Sequence, residues 1–88
     1  MLTTAERRAK RRTIESILRV RRTNLAILAG LNDNGWAGLG RRLGVSAQHL
    51  VNMAGPNPTR PVSEKTARSF ENLLRLPDGW LDKPQRLA

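Results

Sequence analysis

The chain has 88 residues, no cysteine, one histidine and a formal net charge of +9. This length fits one small domain, which buries only about 60 to 65 percent of its unfolded-chain surface. Without cysteine, disulfides and cysteine zinc sites are excluded, and a single histidine leaves no apparent metal site made of protein ligands alone. The strongly basic balance favours polyanions, of which nucleic acid is the simplest candidate.

The sequence carries none of the usual signs of a membrane anchor, an exported protein or an enzyme. No apolar run is long enough to span a bilayer, and MLTTAERRAKRR lacks the apolar core of a secretory signal. A mitochondrial transit peptide is an alternative, but the periodic helix pattern continues straight into the domain. No glycine-rich phosphate cradle follows a strand, and the few carboxylates lie at helix starts and turns, where capping explains them. We therefore expect a cytoplasmic protein with no enzymatic activity and no cofactor.

The N-terminal segment is the most basic part of the chain. Residues 1–22 hold eight basic and two acidic residues, a net of +6, whereas the remaining 66 residues supply +3. Thr3 followed by Glu6 forms a capping box, which predicts that a helix begins near Thr4. Apolar residues then recur at helical spacing. They are Ile14, Ile17, Leu18, Val20, Leu25, Ile27, Leu28 and Leu31.

Two architectures are compatible with this first apolar pattern. Arg21 and Arg22 interrupt it, and Thr23 or Asn24 could cap a second helix. One long helix and two successive helices therefore both remain open.

The stretch WAGLGRRLGVSAQHLVNMAG, from Trp36 to Gly55, predicts two short helices around a sharp turn. Leu39 and Leu43 share one helix face with Trp36 and should face the core. Gly40 lies between them, where a second helix must approach closely. Gly44 should end the first helix in the left-handed conformation.

The second helix of this pair should start at about Ala47, after Ser46 as its N-cap. Leu50 and Met53 form its inward stripe, and Val45 can pack against Leu50 as a hydrophobic staple. The outward residues are Ala47, Gln48, His49 and Asn52. Gly55 should close the helix, and Pro56 prevents its continuation.

A further helix is predicted after the proline-rich loop AGPNPTRP, which spans residues 54–61. Ser63 is its N-cap, and Glu64 in the first turn suits the helix dipole. Its predicted buried stripe consists of Ala67, Phe70, Leu73 and Leu74. Trp80 and Leu81 follow a turn and should cover the bottom of the core.

The two-helix motif resembles the helix-turn-helix of the lambda-repressor-like (XRE) family of DNA-binding proteins. The family's small residue and turn glycine correspond to Gly40 and Gly44, and its apolar positions correspond to Leu39, Leu43, Val45, Leu50 and Met53. Residues 61–82, PVSEKTARSFENLLRLPDGWLD, resemble the next helix and the terminal helix of small phage-type repressors, and residues 24–31 resemble the first core helix. The resemblance covers roughly two thirds of the chain and implies an all-α compact bundle of about five helices with an extended basic N-terminal helix. We divide the chain into a basic arm at 1–22, a DNA-binding domain at 23–82 and a tail at 83–88.

The resemblance implies a sequence-specific regulator of transcription, most simply a phage or mobile-element repressor that binds double-stranded DNA. Side chains near the start of the second helix of such a motif reach base edges in the major groove. The corresponding residues are Ala47, Gln48 and Asn52. The two amides can pair with adenine and the alanine can touch a thymine methyl group, which predicts an A·T-containing half-site.

Phosphate contacts are expected around these base-reading residues. The candidates are Ser46, His49, Asn57, Thr59, Arg60, Trp36, Arg41 and Arg42. For several of them a plain alternative remains open: Ser46 as a cap, His49 and the two motif arginines as solvated surface, and the loop as a spacer. The family often has a phosphate-binding glutamine where this chain has Trp36, so the backbone amides of Gly35 and Trp36 take that contact or it is missing.

One DNA-binding module of this size has a small footprint, roughly 600 to 1,000 Å². We therefore expect a homodimer on a pseudo-palindromic operator, with Ile14, Ile17 and Leu18 as candidate contacts, although the N-terminal helix could instead fold back on its own domain. Two other functions remain open. One is an antitoxin-type or other regulator whose N-terminal helix grips a protein partner, and the other is an architectural protein that binds DNA of any sequence.

Overall fold

The computed structural model describes residues 3–85, apart from the side chains of residues 6–12. In this part of the chain there are four α-helices, one 3-10 turn and no strand. The helices are α1 (Thr4–Leu31), α2 (Gly35–Leu43), α3 (Ala47–Ala54) and α4 (Glu64–Leu73), followed by the terminal turn Trp80–Asp82. The all-α class is confirmed, and the fifth predicted helix is this single 3-10 turn.

The N-terminal part of the chain forms one continuous helix. No glycine or proline occurs between Thr4 and Ala29, so nothing in this stretch breaks the helical backbone. The cap that we considered at Thr23 or Asn24 is not formed, because both residues lie inside α1. The proposed division at residue 22 therefore falls within a helix. The Glu6 half of the predicted capping box and the basic side chains at 7–12 lie outside the described residues, as do residues 86–88 of the tail.

The core is made of one apolar cluster that draws on every element. Its buried members are Leu25, Ala29, Leu39, Leu43, Leu50, Met53, Ala54, Val62, Ala67, Phe70, Leu74 and Leu81. Trp36, Val45 and Trp80 are partly buried and pack against this cluster. The inward stripes predicted for α2 and α3 are confirmed, as is the covering role of Leu81.

Two leucines that the helical spacing assigned to the core are exposed instead. Leu31 is 64% exposed and Leu73 is 51% exposed. At 3.6 residues per turn, each lies about 100° around its helix from the centre of the buried stripe. In α4 that stripe includes Glu71, a charged residue that is fully buried. The periodicity alone assigned the wrong residue to this face.

A buried polar network attaches the terminal turn to α1. Asn24 donates from Nδ2 to the carbonyl oxygens of Leu81, at 2.9 Å, and Lys83, at 2.8 Å. Arg21 forms a two-pronged ion pair with Asp82, through Nε at 2.6 Å and Nη2 at 3.2 Å, and donates to the Val62 carbonyl at 2.9 Å. These bonds fix the end of the domain against the middle of α1.

The same turn is also fixed to α4. Both oxygens of the buried Glu71 carboxylate accept backbone amides, from Gly79 at 3.0 Å and from Leu81 at 2.8 Å. Arg68 lies within ion-pair distance of Glu71 and Asp82. A buried carboxylate is tolerated only when its lone pairs are satisfied in this way. The terminal turn thus links α1 and α4 around the base of the core.

Candidate nucleic-acid interface

The turn between α2 and α3 is built by two glycines. Gly44 adopts a left-handed backbone conformation, with φ of 71°, and ends α2 as the sequence predicts. The amide of Val45 then donates to the carbonyl oxygen of Gly40 at 2.9 Å. A Cβ atom at Gly40 would lie 2.5 Å from the Val45 carbonyl oxygen, so only glycine allows the chain to return this closely.

Helix α3 begins at a well-formed cap. The Ser46 hydroxyl accepts a hydrogen bond from the His49 amide at 3.0 Å, as expected of an N-cap serine. Leu50 and Met53 are buried and hold one face of α3 on the core. Gln48 and His49 are exposed on the opposite side, while Ala47 and Asn52 are half-buried at its margin. The helix therefore presents a short polar surface to solvent.

The two candidate base-reading amides are linked to each other. The Nε2 atom of Gln48 donates to the Oδ1 atom of Asn52 at 2.9 Å, one helical turn away. This bond leaves the Gln48 carbonyl oxygen as an acceptor and the Asn52 amide nitrogen as a donor. An adenine edge offers the reverse combination in the major groove, a donor at N6 and an acceptor at N7. The pair thus has complementary chemistry for one A·T base pair.

The loop after α3 is tied to the end of that helix. The backbone amides of Thr59 and Arg60 both donate to the Asn52 carbonyl oxygen, at 2.7 and 3.1 Å. The side chains of Asn57, Thr59 and Arg60 are exposed. The loop therefore presents its donors beside the same helix that carries Gln48, in a fixed relation to it.

The remaining phosphate candidates fall into two groups. Arg41 and Arg42 are exposed in the last turn of α2. Trp36 packs partly buried against the core, and the Gly35 amide already donates to the Asn32 carbonyl oxygen at 3.1 Å. The amide of Gly35 is therefore engaged inside the protein, and Trp36 has a packing role.

Two arginines of α1 that sequence reasoning did not select lie near the loop. Arg19 and Arg22 line a surface groove together with Arg60. Their spacing of three residues places them on one helix face, a signal visible in the sequence. What the sequence does not reveal is that the loop after α3 packs opposite that face.

The candidate dimer contacts differ in their surroundings. Every described side chain from residue 3 to residue 16 is exposed, and Ile14 is 52% exposed. Ile17 and Leu18 are half-buried, and Leu18 lines the same groove as Arg19. Helix α1 runs through these residues without a break, so its N-terminal part is not a separate helix.

Two charged residues of the scaffold have shifted pKa values. In the scaffold, hydrogen bonding to Arg21 lowers the pKa of Asp82 against the opposing effect of its burial, and the same bond raises the pKa of Arg21.

Among the described residues, no group of three or more histidine, aspartate or glutamate side chains could hold a metal ion. No helix in the described part of the chain is long and apolar enough to cross a membrane.

Comparison with known proteins gives no relative: no protein-family model, no curated protein and no solved structure matches this chain.

Proposed function

We propose that this chain is a sequence-specific double-stranded DNA-binding regulator of transcription, a repressor of phage or mobile-element type. The observation that carries the proposal is the polar surface of α3. Gln48 and Asn52 form a hydrogen-bonded pair there, on a helix held by a serine cap, a glycine turn and two buried apolar residues. Such a short rigid helix, exposed on its polar side, suits insertion into the major groove. Its place of action would be the bacterial or phage-infected cytoplasm, at the nucleoid.

The mechanism follows from the division between base and phosphate contacts. Gln48 and Asn52 would read one adenine, with Ala47 against a neighbouring thymine methyl group. Thr59 and Arg60 would bind the adjoining phosphates, because their backbone is fixed to the end of α3. His49, Ser46, Asn57, Arg41 and Arg42 are candidates for further phosphate contacts. A good bidentate pair contributes about 1 to 3 kcal/mol of discrimination against the wrong base.

Pairing on a symmetric operator is part of the proposal. The small footprint of one module favours two copies on a pseudo-palindrome. Ile14, half exposed on α1, is the most exposed of the three candidate dimer contacts, and Ile17 lies one turn away on the same helix. The same exposed isoleucine also favours a second candidate function, an antitoxin-type regulator whose α1 binds another protein. Co-purification of a small acidic partner would support that alternative.

The base-reading assignment is tested by Gln48→Ala and Asn52→Ala. We expect both variants to lose preference for the selected operator by roughly 5- to 100-fold, which corresponds to about 1 to 3 kcal/mol, while keeping affinity for unrelated duplexes. Fluorescence anisotropy with the two duplexes at one salt concentration measures this. Substituting Asn52 leaves its backbone carbonyl, and thus the loop, in place.

Asn72→Ala is the matched control for this experiment, because it removes an exposed amide from α4. It should bind both duplexes as the parent does. If the two α3 variants also keep the parent's preference, the assignment of Gln48 and Asn52 to base reading is wrong. If the parent binds all duplexes equally, the architectural alternative replaces the repressor.

A further inference from the structure

A groove runs between α1 and the loop that follows α3. It has a volume of about 380 Å³ and is lined on one side by Glu15, Leu18, Arg19 and Arg22. The other side is the loop segment from Pro58 to Pro61. A second depression is lined by Arg22, Thr23 and Ala26 of α1 and by the chain from Ala54 to Pro58. The two depressions share Arg22 and Pro58 in their lining.

The groove carries a net positive charge. Three guanidinium groups, those of Arg19, Arg22 and Arg60, face one carboxylate, that of Glu15. Within the described part of the chain, the guanidinium groups of these three arginines have no hydrogen bond or ion pair. Arg21 and Arg68 differ, because both are within ion-pair distance of Asp82. Arg21 and Arg68 therefore have structural ion pairs, whereas the guanidinium groups of the three groove arginines are available to a ligand.

The groove is held in a fixed position beside α3. Both amides that bond to the Asn52 carbonyl belong to Thr59 and Arg60, which are loop residues of the groove wall. Pro58 and Pro61 fix the backbone angle φ at either end of this wall. The opposite wall is α1, whose next turn is fixed to the core by Arg21 and Asn24. The distance between the arginines and the base-reading face of α3 is therefore set by the fold.

We infer that this groove binds the phosphodiester backbone of the same duplex that α3 reads, with Arg19 and Arg22 as phosphate contacts in addition to Arg60. This inference rests on the proposed function and extends its interface to α1. A guanidinium group binds phosphate oxygens in a planar, two-pronged geometry, and three of them suit successive phosphates better than an isolated anion. The groove's attachment to the end of α3 favours nucleic acid over an acidic peptide, which would need no such coupling.

The test compares Arg19→Gln/Arg22→Gln with the parent by anisotropy on the operator and on an unrelated duplex, over a range of salt concentrations. Each phosphate contact that is lost should make the slope of log K against log salt shallower by about 0.9, so the double variant should lose about 1.8. Affinity should fall by on the order of tenfold on both duplexes, because phosphate contacts carry no sequence information. Thermal unfolding followed by circular dichroism checks that the variant is folded.

Arg75→Gln/Lys83→Gln is the matched control, since it removes two exposed positive charges that do not line the groove. It should keep the parent's slope to within about 0.5, since distant charges act only through screened attraction. The groove assignment is wrong if Arg19→Gln/Arg22→Gln keeps the parent's slope, or if the control loses as much slope as that variant. Either result would leave the reading of bases by α3 untouched. A parent with no sequence preference would instead remove the repressor function alone, and a parent that binds no duplex would remove both.

The same variants answer the question of an acidic peptide. A fluorescein-labelled hexaglutamate peptide should bind the parent more weakly than DNA and be displaced by DNA. If Arg19→Gln/Arg22→Gln loses the binding of that peptide but keeps the parent's DNA binding, the groove belongs to a protein partner. That result would contradict the inference.

Discussion

Gly40 is the residue on which the turn between the two motif helices depends most directly. Its backbone approaches the Val45 carbonyl oxygen so closely that any Cβ atom would be 2.5 Å away. The Val45 amide is hydrogen-bonded to the Gly40 carbonyl oxygen, so the two sides of the turn cannot move apart freely. The position of α3, and with it of Gln48, depends on this missing side chain.

We predict that Gly40→Ala destabilises the protein although alanine is the better helix former. The gain in helix propensity is about 1 kcal/mol, and the steric conflict with backbone should cost more, for a net loss of about 1 to 3 kcal/mol. Urea unfolding followed by circular dichroism measures the difference.

Gly30→Ala serves as the matched control, because it also places alanine in a helix but meets no atom within 4 Å. We expect it to gain about 0.5 to 1 kcal/mol. Equal effects of the two substitutions would show that the close approach at Gly40 is unimportant.

Single residues were predictable where their roles are local. Ser46 and Ser63 as caps, and Gly44 as the left-handed end of α2, depend only on neighbours a few residues away. The failures involve partners distant in sequence. Arg21 was interpreted as an interruption of the apolar face, yet it is buried because Asp82, 61 residues later, is its partner.

At the scale of elements, the terminal turn acts as a clasp between α1 and α4. Asp82 accepts from Arg21 of α1 and lies 2.8 Å from Arg68 of α4, while Glu71 binds the amides of the turn itself. Helical spacing could not predict this arrangement, because the charged residues Arg21 and Glu71 lie on buried helix faces, where spacing predicts apolar residues. The fold class was predictable from the sequence, whereas the way its ends are joined was not.

The clasp predicts a specific dependence of stability on pH. The pKa of Asp82 is lowered in the folded protein, mainly by its hydrogen bond to Arg21. The contribution of the Asp82 carboxylate to the free energy of unfolding should be complete above the ordinary aspartate pKa of about 4. It should be lost as the pH falls through the lowered pKa. Asp82→Asn should cost about 1 to 3 kcal/mol at neutral pH and make acid unfolding less steep, as followed by urea titrations between about pH 7 and pH 3.

The exposed Asp78→Asn is the control for that series, because it removes a carboxylate of the same chain segment outside the clasp. It should leave both the stability and the pH profile close to those of the parent. An Asp82→Asn variant that keeps the parent's full acid dependence would contradict the role given to the ion pair.

Helix α1 combines scaffold and extension in one element. A helix of 28 residues is about 42 Å long, close to the 47 Å long axis of the molecule. Among the described residues of α1, the buried ones lie in its second half, and the described side chains from residue 4 to residue 16 are exposed. Ile14 lies on the same stripe as Leu18 and Leu25 but is 52% exposed. The helical spacing alone therefore could not decide whether this side chain is buried.

For the molecule as a whole, the proposed division of labour separates specificity from affinity. The polar surface of α3 offers few base contacts, mainly Gln48 and Asn52, whereas the net charge of +9 provides attraction to any duplex. The groove beside Arg60 brings part of that charge to the same region as α3. Two copies on a symmetric site would double both contributions.

The most direct test of the central claim is selection of bound fragments from a random-sequence duplex pool at physiological salt. The proposal predicts enrichment of a pseudo-palindrome with A·T-containing half-sites about one helical turn apart, centre to centre, or a multiple of it. Gln48→Ala/Asn52→Ala, selected in parallel, should recover no such motif while still retaining DNA. A pool with no enriched motif, or the same motif from the double variant, would contradict the claim that α3 reads bases.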